Sequence, residues 1–335
     1  MTTLITGAAG YVGSHAALHL IRSGRAVIGL DNFCTGSRDR ADRLTSLAAD
    51  LPGSFELIEG DIADRDLVSR VLSEHGIGSV MHFAAHCIVS ESVREPEKYE
   101  RNNVGGTRAL LNACADSSVT RFILSSTTSV YGDPDVGLDP IAESTPCNPI
   151  NPYGASKVEC ERLLRAHAEA NEGFECAALR FFNVAGCDAV LGEQANEAGR
   201  LIPAAINVAL GTQGALTICG TDFPTPDGTC VRDYVDVRDI ADAHIAVLGA
   251  LQPDDQRLYN IGMGRGWSVR EVAEATARVS GREVPVIEGP RREGDPAALV
   301  ADVTKIECEI GWTAKRRDLD EVIGSVWEWA NTELC

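Results

Sequence analysis

The sequence predicts an α/β protein built on a doubly wound parallel sheet of Rossmann type, followed by a second, smaller mixed α/β domain. Three observations carry this. Short β-rich runs alternate with longer helical segments through the first half of the chain, which is the sequence form of a parallel sheet wrapped by helices on both faces. The first of those strands opens directly into Gly7, Gly10 and Gly13 and then into an apolar-periodic helix. After about Asn183 the alternation stops, and Gly, Pro and Asp crowd stretches such as GTDFPTPDGT. The expected organisation is a dinucleotide-binding domain over 1–182, with a segment near 234–262 returning to it, and a second domain over 183–335. No internal repeat or low-complexity tract interrupts it.

The elements follow in order. The first strand, Thr3 to Thr6, leads into a helix whose apolar positions Val12, Ala16, Leu20 and Ile21 share one face and which Gly24 ends. The glycines at 7, 10 and 13 let the backbone turn tightly and approach a pyrophosphate, which the amides of the helix N-terminus then receive. A second strand, Ala26 to Leu30, ends at Asp31, where a carboxylate can accept both hydroxyls of an adenosine ribose. A 2′-phosphate would meet that charge, so the site favours NAD over NADP. The third strand, Phe55 to Ile58, leads to Asp61 and Ile62, placed either to contact adenine or to form an ordinary loop.

Helical Asp64 to Glu74 precedes the fourth strand, Ser79 to Phe83, which ends in HFAAH (82–86), small residues that let a cofactor lie against the backbone. A helix over Gly105 to Ala115 and a strand over Arg121 to Leu124 come next. That strand runs out in LSSTTSVYG, a cluster of hydroxyls at the carboxyl edge where open α/β sheets place their ligands. A loop with Pro146, Pro149 and Pro152 enters a helix near Tyr153 that carries Lys157 one turn on, and a sixth strand covers Cys176 to Leu179. Beyond it, LTICG and DYVDV read as strands among loops.

Composition bounds the chemistry. At 335 residues, with 44% hydrophobic and 24% charged residues, the chain is ordinary globular material, and no apolar run approaches membrane-spanning length. The N-terminus, MTTLITGAAG, has no basic region before its apolar residues and reads as mature protein. A formal charge of -19 argues against nucleic acid or an anionic membrane as partner, so any anionic ligand is met by a few placed arginines. The eleven cysteines are scattered, odd in number and without a Cys-x-x-Cys, as small buried hydrophobes in a reducing cytoplasm would be. His15 with His19 and His82 with His86 have helical spacing but no third ligand, so no metal is expected.

The pair Tyr153 and Lys157 stands out because the chain has only four lysines and six tyrosines. An accidental Tyr-x-x-x-Lys is expected only about 0.07 times in such a chain. A phenol is a poor base at neutral pH, but a neighbouring ammonium and a positively charged nicotinamide both favour its phenolate. Tyr153 is therefore the candidate proton-transfer group and Lys157 the residue that tunes it.

These residues resemble the extended short-chain dehydrogenase/reductases and, within them, the UDP-glucose 4-epimerases. The likeness runs through TGAAGYVGSH, LDNFCTGSR, EGDIAD, HFAAH, ESVREPEKYERNNVGGT, SSTTSVYG, NPYGASK, LRFFNVAG, GTDFPTPDGTCVRDY and GPRREGD, the last two being the more specific to 4-epimerases. The resemblance implies a tightly held NAD that takes a hydride from C4 of a UDP-hexose while Tyr153 removes the hydroxyl proton, then returns it to the other face of the 4-keto sugar. Thr127 matches the position that hydrogen-bonds the C4 oxygen. Tyr11, Val12, Asn32, Phe83, Ala84, Ala85, Asn102 and Phe182 match cofactor contacts, whereas Cys87 stands where many members carry a lysine. Arg232 and Arg292 match phosphate-binding positions, and guanidinium forks suit phosphate oxygens.

Asn183, Leu201, Thr217, Ile218, Cys219, Asp295 and Leu299 match the rest of a nucleotide-sugar site, and Arg200 replaces a neutral or imidazole side chain common there. A homodimer paired through the helices near Gly105 to Ala115 and Tyr153 to Ala170 is implied in the same way. A 4,6-dehydratase or uronate decarboxylase would carry an acidic residue just after the active-site hydroxyl, where this chain has Thr128 and Ser129. A uronate or pentose 4-epimerase stays open as an alternative. So does a non-enzymatic NAD(H)-sensing regulator, although such a protein has no need of both Tyr153 and Lys157.

Overall fold

A computed structural model describes residues 2–192, 200–292 and 294–332, and every candidate site residue lies among them. In the first half, β1 (Thr2–Thr6), β2 (Ala26–Asp31), β3 (Ser54–Glu59), β4 (Ile77–His82), β5 (Arg121–Thr127) and β6 (Glu175–Phe181) alternate with helices. The helices are α1 (Tyr11–Arg22), α2 (Arg38–Ala48), α3 (Arg65–Glu74), α4 (Val89–Arg94), α5 (Pro96–Tyr99), α6 (Gly106–Ala115) and α7 (Pro152–Ala170). The second half holds β7 (Asn183–Ala185), α8 (Leu201–Leu210), β8 (Leu216–Cys219), β9 (Val231–Arg232), β10 (Tyr234–Asp236), α9 (Val237–Ala250) and β11 (Gln256–Ile261). It continues with β12 (Trp267–Ser268), α10 (Val269–Ser280), β13 (Val286–Gly289), β14 (Ala298–Leu299), α11 (Thr304–Ile310) and α12 (Leu319–Thr332).

Seven strands form the main sheet in the order β3-β2-β1-β4-β5-β6-β11. The pairs β2 with β3, β1 with β2, β1 with β4 and β4 with β5 are parallel. The winding reverses between β1 and β4, so the loops after these strands leave in opposite directions and open a crevice at their carboxyl ends. β4 is buried throughout, as a central strand covered on both faces must be, whereas the edge strand β3 keeps solvent-exposed positions. Leu4, Leu30, Val80, Phe122 and Leu124 of the sheet join Val68, Leu110, Cys160 and Leu164 of α3, α6 and α7 in one core.

The chain divides into two compact units: Met1–Gly132, Cys147–Arg180 and Ile240–Tyr259 in the first, and Asp133–Pro146, Phe181–Asp239 and Asn260–Cys335 in the second. The returning segment is thus 240–259, shorter than the 234–262 expected, because Tyr234–Asp236 pairs in parallel with Asn183–Ala185. Residues 133–146, expected in the first domain, belong to the second unit. There Ile141 donates its N–H to Val300 O (2.8 Å) and Glu143 Oε1 accepts from Asn260 N (2.8 Å). These are long-range contacts with no local sequence signature. The second unit also contains a three-stranded sheet β12-β9-β14 and a parallel pair β13-β8, with Ala205, Val208, Leu216 and Ala273 in a small core.

Two further expectations change. β5 runs on to Thr127 because its hydroxyls find partners inside: Ser125 Oγ lies 3.1 Å from His244 Nε2 and Ser126 Oγ donates to Glu161 Oε1 at 2.5 Å. The cysteines are not uniformly buried: Cys114, Cys160, Cys176 and Cys187 are, but Cys34, Cys87, Cys147 and Cys308 are exposed. No helix among the described residues is long and apolar enough to cross a membrane. His15 Nδ1 lies 2.7 Å from Tyr11 O, and His19 Nδ1 lies 2.8 Å from Asp242.

Candidate active site

The crevice of the first unit is lined by Gly7, Gly10, Asp31, Asn32, Ile62, Phe83, Ala84, Ala85 and Asn102, together with Leu30, Cys34, Thr35, Gly36 and Gly60. Gly7 sits at φ +72°, and a Cβ there would come within 2.7 Å of Ala84 N, so glycine lets β1 and β4 close on one another. A side chain at Gly13 would run into the Gly7 carbonyl. α1 starts at Gly10 with no side-chain cap and no acidic residue in its first turn, which leaves the helix end to an anion. Tyr11 and Val12 stand in that first turn, so their contribution to an anion is through the backbone.

Asp31 closes the crevice at the end of β2. Its Oδ2 accepts from Ala9 N (2.9 Å) and its Oδ1 from Phe33 N (2.8 Å). Burial raises its pKa, while those amides and Arg40 act the other way. The neighbouring cations are engaged elsewhere: Arg38 with Glu59 through both carboxylate oxygens (3.0 and 2.7 Å), and Arg40 with Ala9 O (2.9 Å). Both contacts leave the Asp31 edge suited to ribose hydroxyls rather than to a further phosphate. Asn32 Nδ2 donates to Asp61 Oδ2 (2.8 Å), and Asp61 Oδ1 caps Ala63 N (2.8 Å), so Asp61 orders the loop after β3. The cradle of glycines, the uncapped helix end and the acceptor at Asp31 fit NAD.

The proton-transfer residues are set by the junction of β5 and α7. Thr127 ends β5, and its Oγ1 accepts from Ser129 N (3.2 Å) and donates to Ser129 Oγ (3.3 Å). Asn151 caps α7 by accepting from Gly154 N (2.8 Å), with Pro152 in the first turn. A Cβ at Gly154 would strike Ser129 O, so the glycine of NPYGASK brings the start of α7 against the turn after Thr127. Tyr153 is buried in that first turn, its ring edge-on to Tyr99 at 6.2 Å. Lys157, one turn on, is buried and donates from Nζ to Ser125 O (2.9 Å).

Burial lowers the pKa of Lys157, with nearby thiols and Glu161 opposing the shift. Glu161, a further turn along α7, is already neutralised: Arg180 grips it through Nε to Oε1 (2.9 Å) and Nη2 to Oε2 (2.6 Å). That pairing keeps the lysine charge available to a phenol on the same helix. His82 is a core residue, held between Thr6 Oγ1 (2.7 Å) and Thr107 Oγ1 (2.9 Å), and burial pushes its pKa down to about 3. Neither Glu161 nor Arg180 was legible as a site residue. Asn103, also missed, ties the loop after β4 to α7 by bonds to His86 N (2.9 Å), His86 O (3.0 Å) and Ser156 Oγ (3.0 Å). The adjacent Asn102, which lines the crevice, donates to Asn103 Oδ1 (3.0 Å).

The second unit carries the remaining candidates. Arg232 is buried, donates to Val231 O (2.8 Å) and is ion-paired with Asp295. Leu299 stands in register with Arg232 across β9 and β14. Asn183 donates its N–H to Asp233 O (2.9 Å), Arg200 is the N-cap residue of α8, and Leu201 begins that helix. Arg292 is exposed, and Phe182 is buried with its N–H on Ile261 O (3.0 Å). Alternation along β8 buries Ile218 completely between exposed Thr217 and half-buried Cys219, so Ile218 has only its backbone to offer a ligand.

Residues 3–262 match the NAD dependent epimerase/dehydratase family. The chain belongs to that family. Among the relatives of this epimerase/dehydratase is the UDP-glucose 4-epimerase of Lactobacillus helveticus, 42% identical over 332 residues, 98% of this chain and 97% of that protein. The solved UDP-glucose 4-epimerase of Bifidobacterium longum, in complex with NAD+ and UDP, superposes with a TM-score of 0.93 at 36% identity, covering 100% of this chain and 99% of that one. The enzyme from Stenotrophomonas maltophila, with bound NAD and formylated UDP-arabinopyranose, gives 0.93 at 34% identity and covers 100% of both chains.

Proposed function

We propose that this epimerase/dehydratase inverts C4 of a UDP-hexose, interconverting UDP-glucose and UDP-galactose through a 4-keto sugar. The observation that carries the reading is a hydroxyl, a phenol and a buried ammonium at one junction, with Thr128 and Ser129 and no carboxylate following Thr127. Elimination or decarboxylation chemistry needs a further acid or base there, and the nearby Glu161 is locked to Arg180. Bound NAD supplies a reversible hydride acceptor, so no net redox change occurs. Thr127 Oγ1 holds the C4 oxygen, Tyr153 Oη takes and returns its proton, and Lys157 favours the phenolate. Arg232 and Arg292 receive the diphosphate. The complete enzyme is proposed as a cytoplasmic homodimer joined through α6 and α7, with a role in galactose metabolism.

The test is incubation of the purified protein with UDP-galactose, without added cofactor, followed by NMR of the products. Formation of UDP-glucose with no change in free NADH is expected. A 4-keto-6-deoxy product, a pentose product or no conversion would overturn the reading. Sedimentation velocity at micromolar concentration checks the dimer, and a monomer would remove that part.

A further inference from the structure

Asp233 was not singled out by sequence, and it follows the candidate phosphate ligand Arg232. Its side chain is fully buried, yet it faces a set of backbone donors: Met263 N to Oδ1 (2.8 Å), Gly264 N to Oδ2 (3.0 Å) and Ala301 N to Oδ2 (3.3 Å). Gly264 reaches this geometry at φ +69°, and a Cβ on Gly262 would come within 2.6 Å of Oδ2. The backbone of the same residue donates to Leu299 O (3.0 Å) and accepts from Asn183 N (2.9 Å). One residue thus joins β7, β9, β14 and the loop 262–264, all within the second unit.

We infer that Asp233 is the positioning residue of the nucleotide-sugar half, its carboxylate and backbone together fixing Asn183, Arg232 and Leu299 at the spacing a UDP-sugar requires. The inference rests on the UDP-sugar reading above. Asparagine at this position keeps the shape but replaces one acceptor oxygen by an N–H group, which opposes the donors already aimed at it.

Asp233→Asn, compared with the parent, should keep its NAD content and a kcat within about threefold, while KM for UDP-galactose and Kd for UDP rise by about tenfold or more. Gly262→Ala, which leaves the carboxylate but pushes against it, should move both constants the same way and serves if Asp233→Asn does not accumulate. A core variant of the same unit, Val272→Ala, controls for lost stability. Unchanged UDP affinity in a folded Asp233→Asn or Gly262→Ala protein overturns the inference alone. So does an equal rise in KM for a Val272→Ala protein with the same drop in Tm. A parent protein that binds no UDP overturns the UDP-sugar reading, and this inference with it.

Discussion

Tyr153 and Lys157 divide one task between them: the phenol moves the proton and the buried ammonium makes that affordable near neutral pH. Tyr153→Phe should lower kcat by about 10²–10⁴-fold with KM little changed, as loss of a general base does. Stopped product analysis under saturating UDP-galactose checks it, and near-parental turnover would remove the tyrosine from the chemistry. Because burial lowers the Lys157 pKa, its charge is lost below the usual lysine range as pH rises. The parent should therefore show an alkaline decline in kcat, whereas Lys157→Met should be slower and have its optimum at higher pH, because its phenol lacks the ammonium. At Leu299, beside Arg232, the size of one side chain sets the room for a sugar substituent. Leu299→Ser should raise activity on UDP-N-acetylglucosamine relative to UDP-glucose and Leu299→Tyr should depress it, within the roughly 10–200-fold that pocket sterics supply. Identical ratios of kcat/KM in all three proteins would separate Leu299 from the sugar pocket.

At the scale of elements, α7 is held to β5 and β6 by polar contacts that also set its catalytic register. Ser126 of β5 donates to Glu161 of α7, and Arg180 of β6 pairs with the same carboxylate while its Nη1 reaches Tyr131 Oη (3.0 Å). Removing one member leaves a buried charge without its counter-charge, which costs about 3–5 kcal/mol. Glu161→Gln should accordingly lower stability by that amount in urea unfolding and reduce kcat as well, because the same helix carries Tyr153 and Lys157. A loss below about 1 kcal/mol would mean that the pair does not anchor α7. The sequence showed α7 and its cap through Asn151, Pro152 and the Tyr-Lys spacing, which are local signals. Glu161 and Arg180 looked like any surface charges, because their burial depends on strands that pack from elsewhere in the chain.

At the scale of the whole molecule, pH acts through buried imidazoles. His82 and His244 are held neutral by burial, with pKa values pushed down to about 3 and about 4. Both folded values lie below the unfolded value of about 6.5, so their contribution to stability is complete above that pH and is lost as pH falls towards the folded values. Each removes about 1.4 kcal/mol per pH unit in that window. Asp233, raised by burial to about 7, acts in the opposite sense between about 7 and its unfolded value near 3.9, so the net acid slope is smaller than the histidines alone give. His82→Gln, which can still bond Thr6 and Thr107, isolates one contribution. The difference in unfolding free energy between parent and variant should change by about 1.4 kcal/mol per unit from pH 6.5 to 4. A pH-independent difference would show that His82 is not held neutral.

The sequence by itself determined the Rossmann-type sheet, the glycine cradle, the carboxylate at Asp31 and the catalytic pair on one helix. Each is written in short-range spacing: alternating strands and helices, glycines three apart, a lysine four residues after a tyrosine. Resemblance carried the expectation further, to Thr127 and to the arginines of the second unit. Only the tertiary structure decided that residues 133–146 leave the first unit, that Glu161 is neutralised by Arg180, that Ile218 turns inward, and that Asp233 ties four segments together. Those facts depend on which distant backbone groups and charges meet after folding, and no local pattern of residues records that.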